Sequence, residues 1–312
     1  MTDKEHYSFS TCWNIKRHSA GRDMIEEIRS LGFRRVELNY NVTQAHLDTI
    51  EPMIERGEIG ISSVHNVFPF IADKDYDTDS VLLGFEERDK RKRAVELLIR
   101  SMEYADRYGA EAVVVHPGEV PFAYNIDKEL KELYQRSGRE SEPYQALWKQ
   151  MMERREQLSP AYVERIVHSL EEACNHAVKK GWRVAVGIET RSRCYQIPTL
   201  TEAKSICDAL RGSPVGLWYD IGHAMMMERM GLYPNLEQLP QMLPYICGVH
   251  IHETLELSDH WCPYVHSGEA GSFDPYLPAV RAAGIRVYEL KGKCEPHEIE
   301  ASHRALLARL QA

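Results

Sequence analysis

The stretch PAYVERIVHSLEEACNHAVKKGWRVAVGIET, residues 160–190, predicts one helix followed by one short strand. Ser159 can cap the helix, Pro160 suits its first turn, and apolar residues then recur at helical spacing. Gly181 is a typical residue for ending a helix. The apolar run Val184–Glu189 then predicts a buried strand whose last residue is a carboxylate.

The same alternation of short apolar runs and longer amphipathic runs continues along the chain. Parallel strands joined by helical crossovers produce this order, either in an open doubly wound sheet or in a closed barrel. The chain has no GxGxxG after its first strand and no GxxxxGK[ST], which argues against the open nucleotide-binding sheet. Eight strand–helix units favour an α/β fold, the (β/α)8 TIM barrel. The predicted strands are Tyr7–Cys12, Val36–Tyr40, Ile61–Val67, Ala112–His116, Val184–Glu189, Gly216–Asp220, Cys247–His252 and Arg286–Leu290.

We expect residues 1–312 to form a single barrel domain, since no linker or repeat interrupts the pattern. The interval 119–158 is longer than one loop needs and is highly charged. It predicts a mostly helical insertion after the fourth strand, lying over the mouth of the barrel. A helix is also predicted over residues 88–108, ending at Gly109.

Composition narrows the class of protein. The 312 residues carry a formal net charge of −9, which gives no support to a nucleic-acid or membrane-surface partner. The 7 cysteines are widely spaced and form no CxxC, so we expect neither a disulfide framework nor a zinc ribbon. No signal-peptide core and no membrane-length apolar run is present, and we expect a cytoplasmic protein.

Metal-capable side chains concentrate at the carboxyl ends of the predicted strands. In a TIM barrel those ends converge on one face, and that face carries the active site. Burying several carboxylates and imidazoles together is costly unless a cation compensates them, so the pattern predicts a metal site. The residues are His65, His116, Glu189, Asp220, His223, His250, His252 and Glu289, with Asp259 and His260 in the loop after the seventh strand.

These motifs also carry a resemblance. The set HN, HPG, E-T, D-x-x-H, H-x-x-E and E-L-K at successive strand ends resembles the xylose isomerase-like TIM barrel superfamily, from about Tyr7 to Leu310 and excluding the insertion. That group includes sugar isomerases and epimerases, inosose dehydratases and apurinic-site endonucleases. The D-x-x-H of residues 220–223 and the H-x-x-E of residues 250–253 are its most specific parts.

The isomerase branch implies one divalent metal held by Glu189, Asp220, His250 and Glu289, with His223 contacting substrate. The endonuclease branch implies further metals, with His65 and His116 as ligands and a D-x-H in the seventh loop. Asp259 and His260 are adjacent here, so we expect the third metal position to be broken. His252 or His266 could substitute for the missing ligand.

We therefore expect a metal-dependent isomerase or epimerase of a sugar, keto-sugar or polyol derivative. Glu189 and Glu289 would exchange a carbon-bound proton, an enediolate would form, and Trp13 and Arg191 would contact the small carbohydrate-like substrate. The expected cofactor is Mn²⁺, Zn²⁺, Co²⁺ or Mg²⁺. The alternatives are a multinuclear zinc phosphodiesterase and a dehydratase or lyase. The metal count would separate the isomerase from the phosphodiesterase, whereas a dehydratase or lyase begins with the same proton abstraction. The sequence does not decide whether the protein forms a homo-oligomer.

Overall fold

Eight parallel strands close into a barrel, and each strand pairs with its neighbours in sequence. The computed structural model describes residues 3–311. All eight predicted strands are confirmed, with boundaries that differ by a few residues. The barrel strands are β1 (Ser8–Ser10), β2 (Arg35–Leu38), β3 (Gly60–His65), β4 (Ala112–Val115), β5 (Ala185–Glu189), β6 (Val215–Asp220), β7 (Ile246–Ile251) and β8 (Ile285–Tyr288).

Helices follow the strands and cover the outside of the barrel. They are α1 (Gly21–Ser30), α2 (Gln44–Glu55), α3 (Arg88–Arg107), α4 (Ile126–Ser137), α5 (Glu142–Lys180), α6 (Leu200–Ala209), α7 (Ile221–Arg229), α8 (Asn235–Met242), α9 (Leu277–Ala282) and α10 (Pro296–Gln311). Two short antiparallel pairs lie outside the barrel: Gly118–Glu119 with Gln196–Ile197, and Glu253–Leu255 with Ser258–Trp261. Within residues 3–311, no helix has both the length and the apolar character needed to cross a membrane.

The helix before β5 differs from the prediction. It does not begin at Pro160, because α5 starts at Glu142 and runs through Pro160 for 39 residues. Proline in a helix interior removes one backbone hydrogen bond, and burial of Tyr144, Met151 and Arg155 on the first half of α5 offsets that loss. Gly181 ends the helix as predicted, in the left-handed conformation with φ 77°.

The interval 119–158 contains α4 and the first half of α5. Its apolar side chains, including Leu130 and Met151, share a buried cluster with Met226 on α7 and with Met230 just after it. The insertion is therefore attached to the helix that follows β6.

Trp218 on β6 fills the barrel interior directly beside His250. Its ring centroid lies 5.3 Å from that imidazole. A Cβ at Gly248 would lie 2.3 Å from the indole, and one at Gly187 would lie 2.8 Å from it. Glycine on the two neighbouring strands is thus what allows the tryptophan to form the floor beneath the polar strand ends.

Candidate metal centre

Four side chains from four strand ends meet above this floor. Glu189, Asp220, His250 and Glu289 are buried, and each offers a ligand atom within 4.8 Å of the others. His250 Nδ1 lies 3.2 Å from Glu289 Oε2, 3.3 Å from Asp220 Oδ2 and 3.7 Å from Glu189 Oε1. The barrel closes the predicted four-residue set into one cluster.

Glu37 on β2 sets the orientation of His250. The two Glu37 oxygens lie 3.1 and 3.2 Å from His250 Nε2, and Ser63 donates to the same carboxylate at 2.9 Å. A carboxylate accepts, so the imidazole carries a proton on Nε2 and turns Nδ1 into the cluster. Nδ1 is buried and has no hydrogen-bond partner. An imidazole held by a carboxylate on its far side is the usual arrangement of a metal ligand.

The electrostatics of this cluster also fit a cation. Burial raises the pKa of Glu289, and the neighbouring carboxylates of Glu189 and Glu37 raise it further. Burial would also raise the pKa of Glu189 and of Asp220, but the surrounding cationic groups outweigh burial and lower the pKa of each. Three carboxylates and one imidazole with an unused lone pair match the ligand preferences of a divalent ion such as Mn²⁺ or Zn²⁺.

A second cluster shares Glu189. Its Oε2 lies 3.1 Å from His65 Nε2 and 2.9 Å from His116 Nε2. The opposite ring nitrogens are already hydrogen-bonded, because His65 Nδ1 donates to the Asn66 carbonyl at 3.0 Å and His116 Nδ1 donates to Asp79 at 2.9 Å. Both imidazoles therefore turn Nε2 toward the same oxygen. Burial opposes protonation of His65, but Glu189 outweighs burial and raises its pKa.

A buried arginine occupies the other side of Glu189. Arg191 donates to Glu189 Oε1 at 2.7 Å and to Asp79 Oδ1 at 2.8 Å. Asp79 follows β3 in sequence and thereby connects His116 to Arg191. Burial alone would raise the pKa of Asp79, but His116 and Arg191 lower it well below its usual range. The predicted substrate residue Arg191 is thus held in place by two carboxylates.

A third cluster forms at the hairpin after β7. His223 Nε2 and His260 Nε2 each lie 3.9 Å from Asp259 Oδ2. Their Nδ1 atoms lie 3.0 Å from the carbonyls of Thr190 and Glu289, so each Nε2 is free of a proton when its ring is neutral. Adjacent strand residues normally point to opposite faces, but His260 has a left-handed φ of 61°. Asp259 and His260 thus both face His223 despite their adjacency in sequence, and the expectation that the third metal position is broken stays a prediction.

His252 lies beside the third cluster but is hydrogen-bonded on both nitrogens. The His260 backbone N–H donates to Nδ1 at 2.9 Å, and Nε2 donates to Asp220 at 2.8 Å. Burial lowers the pKa of His252, consistent with a neutral ring that orients Asp220. A Cβ at Gly222 would lie 2.0 Å from this ring, so the D-x-x-H motif needs glycine at its third position. His266, the other candidate substitute, lies 3.1 Å from Glu298 instead.

Trp13, which was predicted to contact substrate, follows strand β1. Its indole N–H donates to the Cys294 carbonyl at 2.9 Å, and Arg17 stacks 4.1 Å from the ring. Trp13 is buried, and its predicted contact with substrate stays a prediction.

Sequence reasoning left Glu37 and Asp79 out of the predicted site. Glu37 lies 213 residues from His250 in sequence, and Asp79 lies 112 residues from Arg191. The local signal for Glu37 was its place at a strand end, whereas Asp79 lies in a loop with no distinctive pattern.

Comparison with solved structures gives the same fold over nearly the full chain. The E. coli 3-keto-D-glucoside 4-epimerase in its apo form aligns with a TM-score of 0.65 and 15% identity, covering 98% of this chain and 100% of that chain. An L-ribulose 3-epimerase gives 0.65 and 14%, covering 98% and 95%. The D-allulose 3-epimerase from Methylomonas in complex with D-allulose gives 0.61 and 12%, covering 99% and 98%.

No curated protein sequence matches this chain. The sequence profile of the xylose isomerase-like TIM barrel family does match, over residues 25–286. The matched span contains the carboxyl ends of all barrel strands except β1 and β8. It also contains every residue of the three polar clusters except Glu289. The chain therefore belongs to the xylose isomerase-like TIM barrel family.

Proposed function

We propose that this protein is a divalent-metal-dependent isomerase or epimerase acting on a sugar, keto-sugar or polyol derivative. The observation that carries the proposal is the buried set of Glu189, Asp220, His250 and Glu289, with an unpartnered His250 Nδ1 facing three carboxylates. The solved structures of similar fold include several whose names are those of sugar epimerases, which supports the substrate class.

Glu189, Asp220, His250 and Glu289 would hold the ion. When bound, a divalent ion supplies a Lewis acid that polarises a carbonyl and balances charge on substrate oxygens. Glu189 and Glu289 come from strands separated by two others around the barrel, so their carboxylates approach the centre from different directions. One can accept a carbon-bound proton, and the other can return a proton to a different face or a neighbouring carbon.

Other side chains would bind and orient the substrate. His223 donates from Nδ1 to Thr190, and its Nε2, on the side of Asp259, could hydrogen-bond to a substrate oxygen. Arg191 brings a guanidinium whose side chain is 8% exposed beside Glu189. The cost of burying these groups is already met by their hydrogen bonds, so they need little rearrangement when a substrate binds.

Proton exchange with solvent tests the proposal. The protein, loaded with Mn²⁺ or Zn²⁺, is incubated in D₂O with a panel of ketoses and 3-keto-sugars, and carbon-bound deuterium is followed by NMR. We expect incorporation at a carbon next to the carbonyl, and its loss in Glu189→Gln and Glu289→Gln. Glu111→Gln, at an exposed ion pair with Arg35, is the matched control. Absence of exchange across the panel would contradict the proposal.

A second candidate, a multinuclear phosphodiesterase, is favoured by one specific observation. The two oxygens of Glu189 face different clusters, since Oε2 meets His65 and His116 while Oε1 faces His250. His65, His116 and Glu189 could hold a second ion, and two ions together would stabilise the attacking and the leaving oxygen of a displacement. Metal content per chain separates the candidates: one ion supports the isomerase, and two or three with cleavage of a phosphodiester support the hydrolase.

A further inference from the structure

Tyr40 lies in the turn that follows strand β2. Hydrogen bonds hold this turn on both sides of the tyrosine. The Asn39 backbone N–H donates to Thr11 Oγ1 at 2.9 Å, and the Asn39 side chain accepts from the Asn41 backbone and side chain, each at 3.0 Å. The backbone of Tyr40 is therefore fixed at the carboxyl end of its strand, on the same face of the barrel as the three polar clusters.

The ring of Tyr40 packs against the second cluster. Its centroid lies 5.1 Å from the His65 ring, in an edge-to-face arrangement, and 6.5 Å from the His116 ring. Both imidazoles are already hydrogen-bonded on each nitrogen, so they leave the Tyr40 hydroxyl free for another partner. Because both imidazoles face Glu189 Oε2, Tyr40 lies on that side of the carboxylate, whereas His223 Nδ1 lies 3.4 Å from Oε1.

The Tyr40 hydroxyl is open to solvent and unpartnered. In the part of the chain that the structure describes, residues 3–311, it makes no hydrogen bond. Tyr40 is half-buried, and its hydroxyl has accessible surface, unlike the hydroxyl of Tyr219, which is buried without a partner. Burial raises the pKa of the Tyr40 hydroxyl, and the carboxylates of Asp79 and Glu289 raise it further. The phenol therefore keeps its proton and can donate to a molecule that enters the site.

We propose that Tyr40 is a substrate-binding residue, whose hydroxyl donates to a hydroxyl oxygen of the sugar on the Oε2 side of Glu189. The class of substrate rests on the function proposed above, whereas the position of the contact rests on the packing of the Tyr40 ring against the second cluster. A substrate that lies across Glu189 meets Tyr40 at one end and His223 at the other. Tyr40 supplies affinity and orientation, and proton transfer stays with Glu189 and Glu289.

Carbon signals of the tyrosine rings test this contact without requiring turnover. The zinc-loaded protein, labelled with ¹³C at Cζ of its 16 tyrosines, is titrated with D-fructose, D-allulose and L-ribulose. The Tyr40 signal is identified by its absence from the spectrum of Tyr40→Phe. We expect this signal to shift and saturate with at least one of the three ketoses, because Cζ carries the oxygen that forms the new hydrogen bond.

Affinities of variants then identify the bond. Tyr40→Phe removes only the hydroxyl, so we expect about fivefold weaker binding of the ketose, the effect of one neutral hydrogen bond. Tyr162→Phe is the matched control, because Tyr162 is also half-buried, packs under Arg165 on α5, and makes no hydroxyl hydrogen bond within residues 3–311. Deoxy analogues of the best-bound ketose, each lacking one hydroxyl, identify the substrate oxygen. One of them should bind the wild type and Tyr40→Phe equally.

The proposal is overturned if no ketose gives a saturable Tyr40 shift, or if the wild type and Tyr40→Phe bind the best-bound ketose equally. It is also overturned if every deoxy analogue loses as much affinity in Tyr40→Phe as the parent ketose does. Deuterium exchange separates these outcomes from failure of the proposed function. Exchange with an unshifted Tyr40 signal would remove only the role of Tyr40, whereas a saturable shift without exchange would support that role and contradict the isomerase.

Discussion

Glu37 gives the sharpest test of the metal centre, because within residues 3–311 its hydrogen-bond partners are Ser63 and the far side of His250. Glu37→Gln keeps an acceptor for His250 Nε2 but removes the charge. A hydrogen bond to a charged group contributes about 1.5–3 kcal/mol, and a neutral one about 0.5–1.5 kcal/mol. The middles of these ranges differ by about 1.25 kcal/mol, which corresponds to roughly eightfold weaker metal binding.

Glu37→Ala removes the acceptor altogether and should cost more, toward the hundredfold end of the effects seen for groups behind metal ligands. Zinc affinity is measured by competition with a chromophoric chelator at pH 7.5, with Glu111→Gln as the exposed control. The expected order is wild type, Glu37→Gln, Glu37→Ala. If both Glu37 variants bind zinc within twofold of the wild type, His250 is not a ligand oriented by Glu37, and the assignment of the centre fails.

The remaining predictions concern the groups around this centre and the helix beside it. Asp79→Asn should lower the free energy of unfolding by about 1 kcal/mol, because buried Arg191 then keeps one carboxylate partner instead of two. Urea unfolding measures this change, with Asp75→Asn on the same segment as the control. An unchanged urea midpoint would count against the role of Asp79. His223 has a pKa raised to about 9, since Asp220 and Glu189 outweigh burial. The metal-free protein should therefore lose stability as pH rises from about 6.5 to 9, because the folded state holds a proton that the unfolded state releases; melting temperatures after chelator treatment measure this, and a flat profile would contradict it. Pro160→Ala should stabilise the protein by about 0.5–1.5 kcal/mol, because it restores one backbone hydrogen-bond donor inside α5. A fall in the chemical-denaturation midpoint would contradict the continuous helix.

The barrel was predictable because each strand is a short apolar run and each connection is long enough for a helical crossover. The start of α5 was not, because Ser159 and Pro160 form a strong local start signal. Packing of residues such as Tyr144 and Met151 against the rest of the protein outweighs that signal, and no local pattern reveals such packing.

The residues of the site also divide into those that the sequence predicts and those that depend on contacts in the folded barrel. His250 and Glu289 stand at strand ends, and the fold class alone brings strand ends together, so these ligands were predictable. Glu37 and Asp79 act through hydrogen bonds to residues far away in sequence, and only the closed barrel shows which imidazole each one reaches. The contact between Asp259 and His260 depends on a left-handed backbone angle that the sequence does not specify at a histidine.

Charge balance connects the two candidate functions. If Asp79 and Arg191 offset each other, Glu37, Glu189, Asp220 and Glu289 leave four negative charges in the buried centre. One divalent ion neutralises two of them.

A second divalent ion would neutralise the other two, and His65, His116 and Glu189 would hold it. Ligation requires neutral imidazoles, whereas Glu189 raises the pKa of His65 in the metal-free protein, so the second ion has to displace a proton there. Lower pH therefore favours the one-metal form and higher pH the two-metal form. Metal content per chain separates the isomerase from the hydrolase only when it is measured at the pH at which the activity is assayed.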